Sequence, residues 1–165
     1  MGGRGFRQAV EFMNQQDLEP FIRMTREPID YAQITESVRS DHAGAVILFL
    51  GTVRELTNNR RTVSLDYDAY DSMAVTKMKE LEDEARKQWN LEKISIVHRL
   101  GHLELGEISV AVALSSLHRE EAFQAGKFLI DELKLRVPVW KKENWDDGTT
   151  AWVHPGNTVS KSNEE

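Results

Sequence analysis

A proline that interrupts an amphipathic helix constrains this fold more than any other feature of the sequence. The stretch 128–143, FLIDELKLRVPVWKKE, begins as a helix. Three apolar residues of this helix, which starts before residue 128, are predicted to share one buried face: Phe123, Leu129 and Leu133. Val137 precedes Pro138, and a proline pushes the residue before it out of the α region. The helix must therefore end here, and a short strand is predicted over residues 137–140.

Positive charge is concentrated around this break. Four cations lie within nine positions: Lys134, Arg136, Lys141 and Lys142. The residues between them are largely apolar, whereas a solvated charge run has polar spacers. An ammonium held against an apolar surface shifts its pKa and can serve as an acid, base or nucleophile. Lysines that offset the dipole at a helix C-terminus account for the same pattern, so both interpretations stay open at this point.

The order of predicted elements indicates the fold class. From residue 63 onward it is strand 63–70, helix from 71 or 72, strands 94–100 and 108–114, helix 118–135 and strand 137–140. Gly101 and Gly106 bracket the connection between the two middle strands, which are predicted to form a hairpin. This order is the split βαβ pattern, with two helices on one face of a mixed sheet. We therefore predict a single α+β domain.

The remaining segments complete this outline. The apolar run 45–53 is predicted to be a strand that extends the sheet, and 29–40 a short helix. Residues 55–61 are predicted to be a mobile loop, and Trp152 and Val153 an edge strand. The helix from 71 or 72 is expected to be capped by Asp71 or Ser72, with a core face of Ala74, Met78, Leu81, Ala85 and Trp89. Residues 1–25 are interpreted as a loosely ordered extension, 26–153 as the domain and 154–165 as a flexible tail.

Composition excludes several classes of function. The 165 residues include no cysteine, so disulfides, thiolate metal sites and cysteine nucleophiles are excluded, and any sulfur must arrive on another molecule. A net charge of −6 argues against a general nucleic-acid binder. Basic islands at 54–61 and 134–142 favour a small anionic ligand or an acidic partner. No membrane-length apolar run or secretory signal is found, which predicts a cytoplasmic protein.

Histidines mark two candidate sites. His118 and Arg119 lie at a strand-to-helix junction, where unpaired backbone N–H groups favour an anion. A capping histidine beside a surface arginine explains this pair equally well. His98 and His102 are separated by a strand end and a glycine, so no metal site is predicted. Neither a Walker loop nor a GxGxxG or GxSxG motif is found, so no cofactor is expected.

Four motifs, taken together and in this order, resemble a known family. They are GTVR at 51–54, HRLGHLELGE at 98–107, SSLHR at 115–119 and LKLRVPVWKKE at 133–143. The sequence over residues 29–152 is similar to the large, catalytic subunit of molybdopterin synthase. Two departures are Leu117, where a smaller residue is common, and Val139, where isoleucine is more common.

The resemblance implies a sulfur transfer in molybdenum-cofactor biosynthesis. The family converts cyclic pyranopterin monophosphate into the dithiolene molybdopterin. The sulfur comes from a small ubiquitin-like partner whose C-terminal Gly-Gly ends in a thiocarboxylate and threads into the large subunit. The resemblance further implies an α/β hammerhead fold, and a homodimer of large subunits within a heterotetramer.

The resemblance also implies roles for particular residues. Lys134 and Lys141 match the family's two active-site lysines. The substrate-binding positions are matched by Thr52, Val53, Arg54, His118, Arg119, Lys142 and Glu143. Two other functions remain open: a non-catalytic module that binds an extended tail by strand addition, and a lysine Schiff-base enzyme for a phosphorylated carbonyl compound.

Overall fold

Nine strands and three helices form the part of the chain that the computed structural model describes, residues 19–57 and 59–153. The strands are β1 (Ile22–Thr25), β2 (Ala45–Thr52), β3 (Leu56–Thr57), β4 (Arg60–Ala69), β5 (Leu91–Arg99), β6 (Gly101–Glu104), β7 (Ile108–Ser116), β8 (Val139–Trp145) and β9 (Thr150–Val153). The helices are α1 (Tyr31–Ser37), α2 (Asp71–Gln88) and α3 (Arg119–Arg136). None of the described helices is long and apolar enough to cross a membrane.

The strands are divided between two sheets. The first sheet has the order β1-β5-β7-β2, with β1 parallel to β5 and the other pairs antiparallel. The second has the order β3-β4-β8-β9, and β6 also pairs with β4. The predicted α+β class is confirmed. The sequence did not predict the second sheet, because hydrophobic periodicity identifies strands but not their partners.

Alternate residues of β7 pack against helices on opposite faces of the first sheet. Val110, Val112 and Leu114 join the main core beneath α2 and α3. Ala111 and Ala113 instead contact the smaller cluster that α1 forms with Ile34 and Val38. This alternation follows from the two-residue period of a strand. The first sheet is therefore covered on both faces, with the two long helices on one face as predicted.

The predicted core faces of the helices are largely confirmed. Four residues of α2 are fully buried: Ala74, Met78, Leu81 and Ala85. Trp89 is partly exposed and packs against the same core. Leu129 and Leu133 of α3 are buried, but Phe123 is 65% exposed. The prediction that Phe123 shares their face was wrong. Six residues correspond to about 600° of helical rotation, about 120° short of two full turns, so Phe123 and Leu129 lie on different faces.

The start of α2 also differs from the prediction. Tyr70 occupies the N-cap position and makes no side-chain capping hydrogen bond. Asp71 is the first helical residue, where its negative charge lies close to the positive end of the helix dipole. The expected cap by Asp71 or Ser72 was therefore wrong.

Two connections contain more structure than the sequence predicted. The expected loop at 55–61 includes the short strand β3, which pairs with the beginning of β4, and Asn59 has a positive φ of 62°. The connection between β5 and β7 contains β6, which leaves the first sheet and joins the second. Gly101, with φ of 89°, allows the turn between β5 and β6.

The structure describes only part of the segments that were predicted to be a loosely ordered extension and a flexible tail. Ile22–Thr25 form β1, so ordered structure begins within the stretch interpreted as an extension. Residues 1–18 of that extension, and the tail 154–165, lie outside the described residues.

The break at Pro138 occurs where it was predicted. Helix α3 ends at Arg136, and Val137 has extended backbone angles of φ −82° and ψ 126°. Strand β8 then runs from Val139 to Trp145, further than the predicted residues 137–140. Since α3 follows β7 and packs back across β7 and β2, its C-terminal turn lies near the end of β2.

Close packing of α3 on β2 leads to a test of the fold. A Cβ at Gly126 would overlap Ile47 Cδ1. We expect Gly126→Ala to lower the free energy of unfolding by about 1–3 kcal/mol through overpacking. In an Ile47→Val background, which lacks that methyl group, the same change should cost nothing or stabilise by up to about 1 kcal/mol through helix propensity. Urea titration of the four proteins measures the coupling, and equal costs in both backgrounds would contradict the close contact.

Candidate functional site

A cavity of about 630 Å³ lies where the C-terminal ends of β2 and α3 meet the inner face of β8. Helix α3 contributes residues at helical spacing, and β8 contributes every second residue. The residues that line the cavity are Phe49, Gly51, Thr52, Arg54, Thr57, Leu65, Tyr67, His98, Ser109, Val110, Ile130, Leu133, Lys134, Val137, Val139, Lys141, Glu143, Trp145 and Val153. Its walls are therefore mainly apolar, with a few charged and polar groups among them.

Two of the cations that line the cavity are exposed. Lys134 is in the last turn of α3, and Arg54 follows the end of β2. Within residues 19–57 and 59–153, no carboxylate lies within 4.0 Å of either side chain. Both positive charges are thus available to an anionic group that enters the cavity.

Lys141 is held by a buried carboxylate. Its Nζ lies 2.6 Å from Glu143 Oε1, and the Glu143 side chain is only 2% exposed. Thr62 donates a hydrogen bond of 3.2 Å to the other carboxylate oxygen, Oε2. Because this carboxylate is satisfied on both oxygens, the pair fixes the position of Lys141 at the cavity wall.

Neutral polar groups form the interior of the cavity. Burial lowers the pKa of His98 from its ordinary value of 6.5 to about 4, so the ring is uncharged at neutral pH. The ring packs edge-on against Tyr67, with centroids 5.1 Å apart. Burial also raises the pKa of the Tyr67 phenol, which therefore keeps its proton. Ser109 donates to the Gly51 carbonyl oxygen at 3.1 Å.

The structure brings together five of the nine predicted site residues. Lining the cavity are Thr52, Arg54, Lys134, Lys141 and Glu143. Val53 is buried in a small core cluster with Leu65 and Leu103, and its N–H donates to the Glu107 carbonyl. Its side chain does not line the cavity.

Lys142 points to the opposite face of β8 from Lys141. Its ammonium lies 3.2 Å from Asp66 Oδ2 and 5.9 Å from the Trp152 ring centroid. Hydrogen bonds from Asn144, His102 and Lys142 outweigh burial and lower the pKa of Asp66 to about 2. Bonds to Asp66 and Glu104 raise the pKa of His102. Lys142 thus belongs to a polar network on the outer face of the second sheet.

His118 and Arg119 lie at the other end of α3 from Lys134. His118 is the N-cap residue, with φ −125° and ψ 145°, and makes no side-chain capping hydrogen bond. Both residues are exposed. Fifteen residues of helix separate Arg119 from Lys134, a distance of about 22 Å along the axis. Within one chain the His–Arg pair therefore does not reach the cavity.

Sequence reasoning missed the polar interior of the cavity. His98 was considered only as a metal ligand, and Tyr67 and Ser109 were not singled out. Among the described residues, no cluster of three or more His, Cys, Asp or Glu side chains could hold a metal ion. His98 is in phase with Ile94 and Ile96, which are buried on β5, so the alternation itself indicated an inward-facing imidazole.

Comparison with known proteins gives a consistent result. The model of the MoaE protein family matches residues 24–136. The molybdopterin synthase catalytic subunit of Halalkalibacterium halodurans is 42% identical over 127 residues, covering 77% of this chain and 81% of that protein. The corresponding subunit of Bacillus subtilis is 43% identical over 132 residues, covering 80% and 83%. The crystal structure of molybdopterin synthase from Staphylococcus aureus matches with a TM-score of 0.76 and 40% identity, covering 79% of this chain and 95% of that one.

The buried His98 predicts a dependence of stability on pH. Its pKa is lower in the folded chain than in the unfolded one, so the unfolded chain binds more protons between pH 6.5 and about 4. We expect this residue to destabilise the fold progressively as pH falls through that window, by on the order of 3 kcal/mol in total. Urea unfolding from pH 7 to 4 measures the effect.

The pH dependence should weaken in His98→Phe and persist in His42→Phe, which removes an exposed imidazole. An unchanged pH dependence in His98→Phe would contradict the burial of a neutral ring.

Proposed function

This chain belongs to the MoaE protein family, and on that premise we propose that it is the catalytic subunit of a molybdopterin synthase. In this proposal it transfers sulfur from the C-terminal thiocarboxylate of a small ubiquitin-like partner to cyclic pyranopterin monophosphate. The observation that carries the proposal is the pair of lysines, Lys134 and Lys141, on the wall of one largely apolar cavity. The cytoplasm remains the proposed compartment.

Lys134 has the central role in this mechanism. Its ammonium has no carboxylate partner among the described residues, so it is free to stabilise negative charge that develops on the acyl group of the partner. In its neutral form the same amine can accept a proton, which the resulting ammonium can then deliver. The thiocarboxylate sulfur forms a bond to the pterin in place of a leaving oxygen. Water then cleaves the bond between that sulfur and the acyl carbon, which leaves the partner with a C-terminal carboxylate.

Lys141 acts as a fixed positive charge. Glu143, whose other oxygen accepts from Thr62, holds it against the wall, so little entropy is lost when it binds an anion. It would assist with the phosphate or with the leaving oxygen. Arg54, which offers two parallel N–H groups, is suited to the phosphate, and Thr52 lies beside it at the end of β2.

For His118 and Arg119 to bind the same substrate, a second copy of the chain is needed. Strand β2 is at the edge of the first sheet, and identical strands related by a two-fold axis pair antiparallel. Ala45, the first residue of β2, pairs with Ser116, two residues before His118. Pairing of β2 with its copy would therefore bring His118 and Arg119 of one chain near Thr52 and the cavity of the other.

Replacement of Lys134 tests the catalytic assignment. We expect Lys134→Ala to lower the rate of conversion of the pterin precursor by about 10²–10³-fold, as expected when a group that stabilises transition-state charge is lost. Lys134→Arg should still bind the partner but not restore the rate, which separates chemistry from tail binding alone. Lys127→Ala, an exposed lysine paired with Asp131 on the same helix, is the control. The product bearing two sulfurs is measured by mass spectrometry, and a near-normal rate for Lys134→Ala would refute the assignment.

Mixing of two inactive variants tests the shared site. Arg119→Ala and Lys134→Ala should each be inactive as homodimers. After unfolding and refolding together, half of the dimers are mixed and each has one intact site, so about a quarter of wild-type activity should return. Activity that stays at the level of the separate variants would contradict a site built from two chains.

A further inference from the structure

The cavity contains one buried imidazole that the mechanism above does not use. His98 is 5% exposed and lines the cavity with Lys134 and Lys141. Its Nδ1 lies 3.0 Å from the Arg99 carbonyl oxygen. A carbonyl oxygen can only accept, so Nδ1 carries the proton, and Nε2 of the neutral ring is left with a lone pair.

This lone pair is available to a bound molecule. No hydrogen bond to Nε2 is made by the described residues. Among the described residues, the side-chain polar atoms that have no partner and are fully buried are Arg99 Nε, Ser115 Oγ and Trp145 Nε1. Nε2 of His98 also has no partner but is not one of these buried atoms, so it is accessible. Since the ring lines the cavity, Nε2 offers a neutral acceptor in its interior.

The charged acceptor nearby, the Glu143 carboxylate, is already engaged. Both oxygens of Glu143 are occupied, by Lys141 and by Thr62. Ser109 donates its proton to the Gly51 carbonyl oxygen, and the hydroxyl groups of Ser109 and Tyr67 hydrogen-bond to each other. The surrounding walls are apolar, and include Val110, Leu133 and Val139. A ligand N–H that enters this part of the cavity leaves water behind and needs an acceptor, because an unpaired buried donor is costly.

We propose that His98 binds the C-terminal tail of the partner by accepting the backbone N–H of its last glycine. This inference rests on the proposed function and adds a specificity residue to it. Glycine has no side chain, so its only handles are its N–H and its carboxyl group. Only one Cα separates the N–H from the carboxyl group. A site that binds both groups therefore needs an acceptor and a cation in the same cavity, and His98 and Lys134 both line this one.

The position of His98 favours the tail over the pterin. The exposed Arg54 would hold the phosphate of a pterin close to solvent. A glycine tail is the thinnest form of peptide and can reach the buried ring. An acceptor that selects for an N–H also explains how the cavity would reject a tail that ends in proline or in an N-methylated residue.

The test measures binding of the candidate small subunit, prepared with its terminal glycine as a free carboxylate. Isothermal titration should give a Kd about 10-fold weaker for His98→Phe than for the wild type, since a buried N–H loses its partner. His98→Gln, whose side-chain oxygen can take the place of Nε2, should bind within about 3-fold of the wild type. Unfolding curves at pH 7 verify that both variants are folded.

A modified partner assigns the effect to one hydrogen bond. A semisynthetic partner ending in N-methylglycine should bind the wild type about 10-fold more weakly, and His98→Phe should add no further loss. The inference is overturned if His98→Phe binds the unmodified partner normally, or if His98→Phe still binds the N-methylglycine partner more weakly than the wild type does. It is also overturned if only the KM for the pterin rises. Failure of the wild type to bind the partner at all would instead refute the proposed function.

Discussion

The proline ring after Val137 decides how the two lysines of the cavity are presented. It ends α3 two residues after Lys134 and sets Val137 in an extended conformation. Strand β8 then starts, and Lys141 follows on its inner face. A continuous helix would have carried Lys141 away along the axis, about 10 Å beyond Lys134. The change from helix to strand brings both ammonium groups to one wall.

The second sheet completes the cavity by burying charge in a satisfied form. Pairing with β4 turns the odd-numbered residues of β8 inward, which places Glu143 next to Lys141. A carboxylate that is only 2% exposed would destabilise the fold if it were unpaired, but it meets an ammonium and a hydroxyl group. Lys134 lacks such a partner within the described residues. One lysine is thus held in place, and the other is left free to respond to a ligand.

Two kinds of polar environment lie within the same cavity. Near the surface are the charged groups Arg54 and Lys134, and in the interior are the neutral His98 and Tyr67. Charged groups attract and hold anions, whereas neutral ones discriminate by the direction of hydrogen bonds. The proposed reaction, in which a phosphate and a peptide end enter one site, would use both environments.

Local chemistry in the sequence determined most of the elements, the α+β class, the break at Pro138 and the two lysines, because periodicity and the proline restriction act over a few residues. Pairing between distant strands was decided only by the tertiary structure: β6 joins β4, and His98 is thereby enclosed with Tyr67. The same holds for the roughly 22 Å between Arg119 and Lys134, since a motif names residues but not the end of the helix at which they lie. Burial and contact arise from segments far apart in the chain, and no local pattern encodes them.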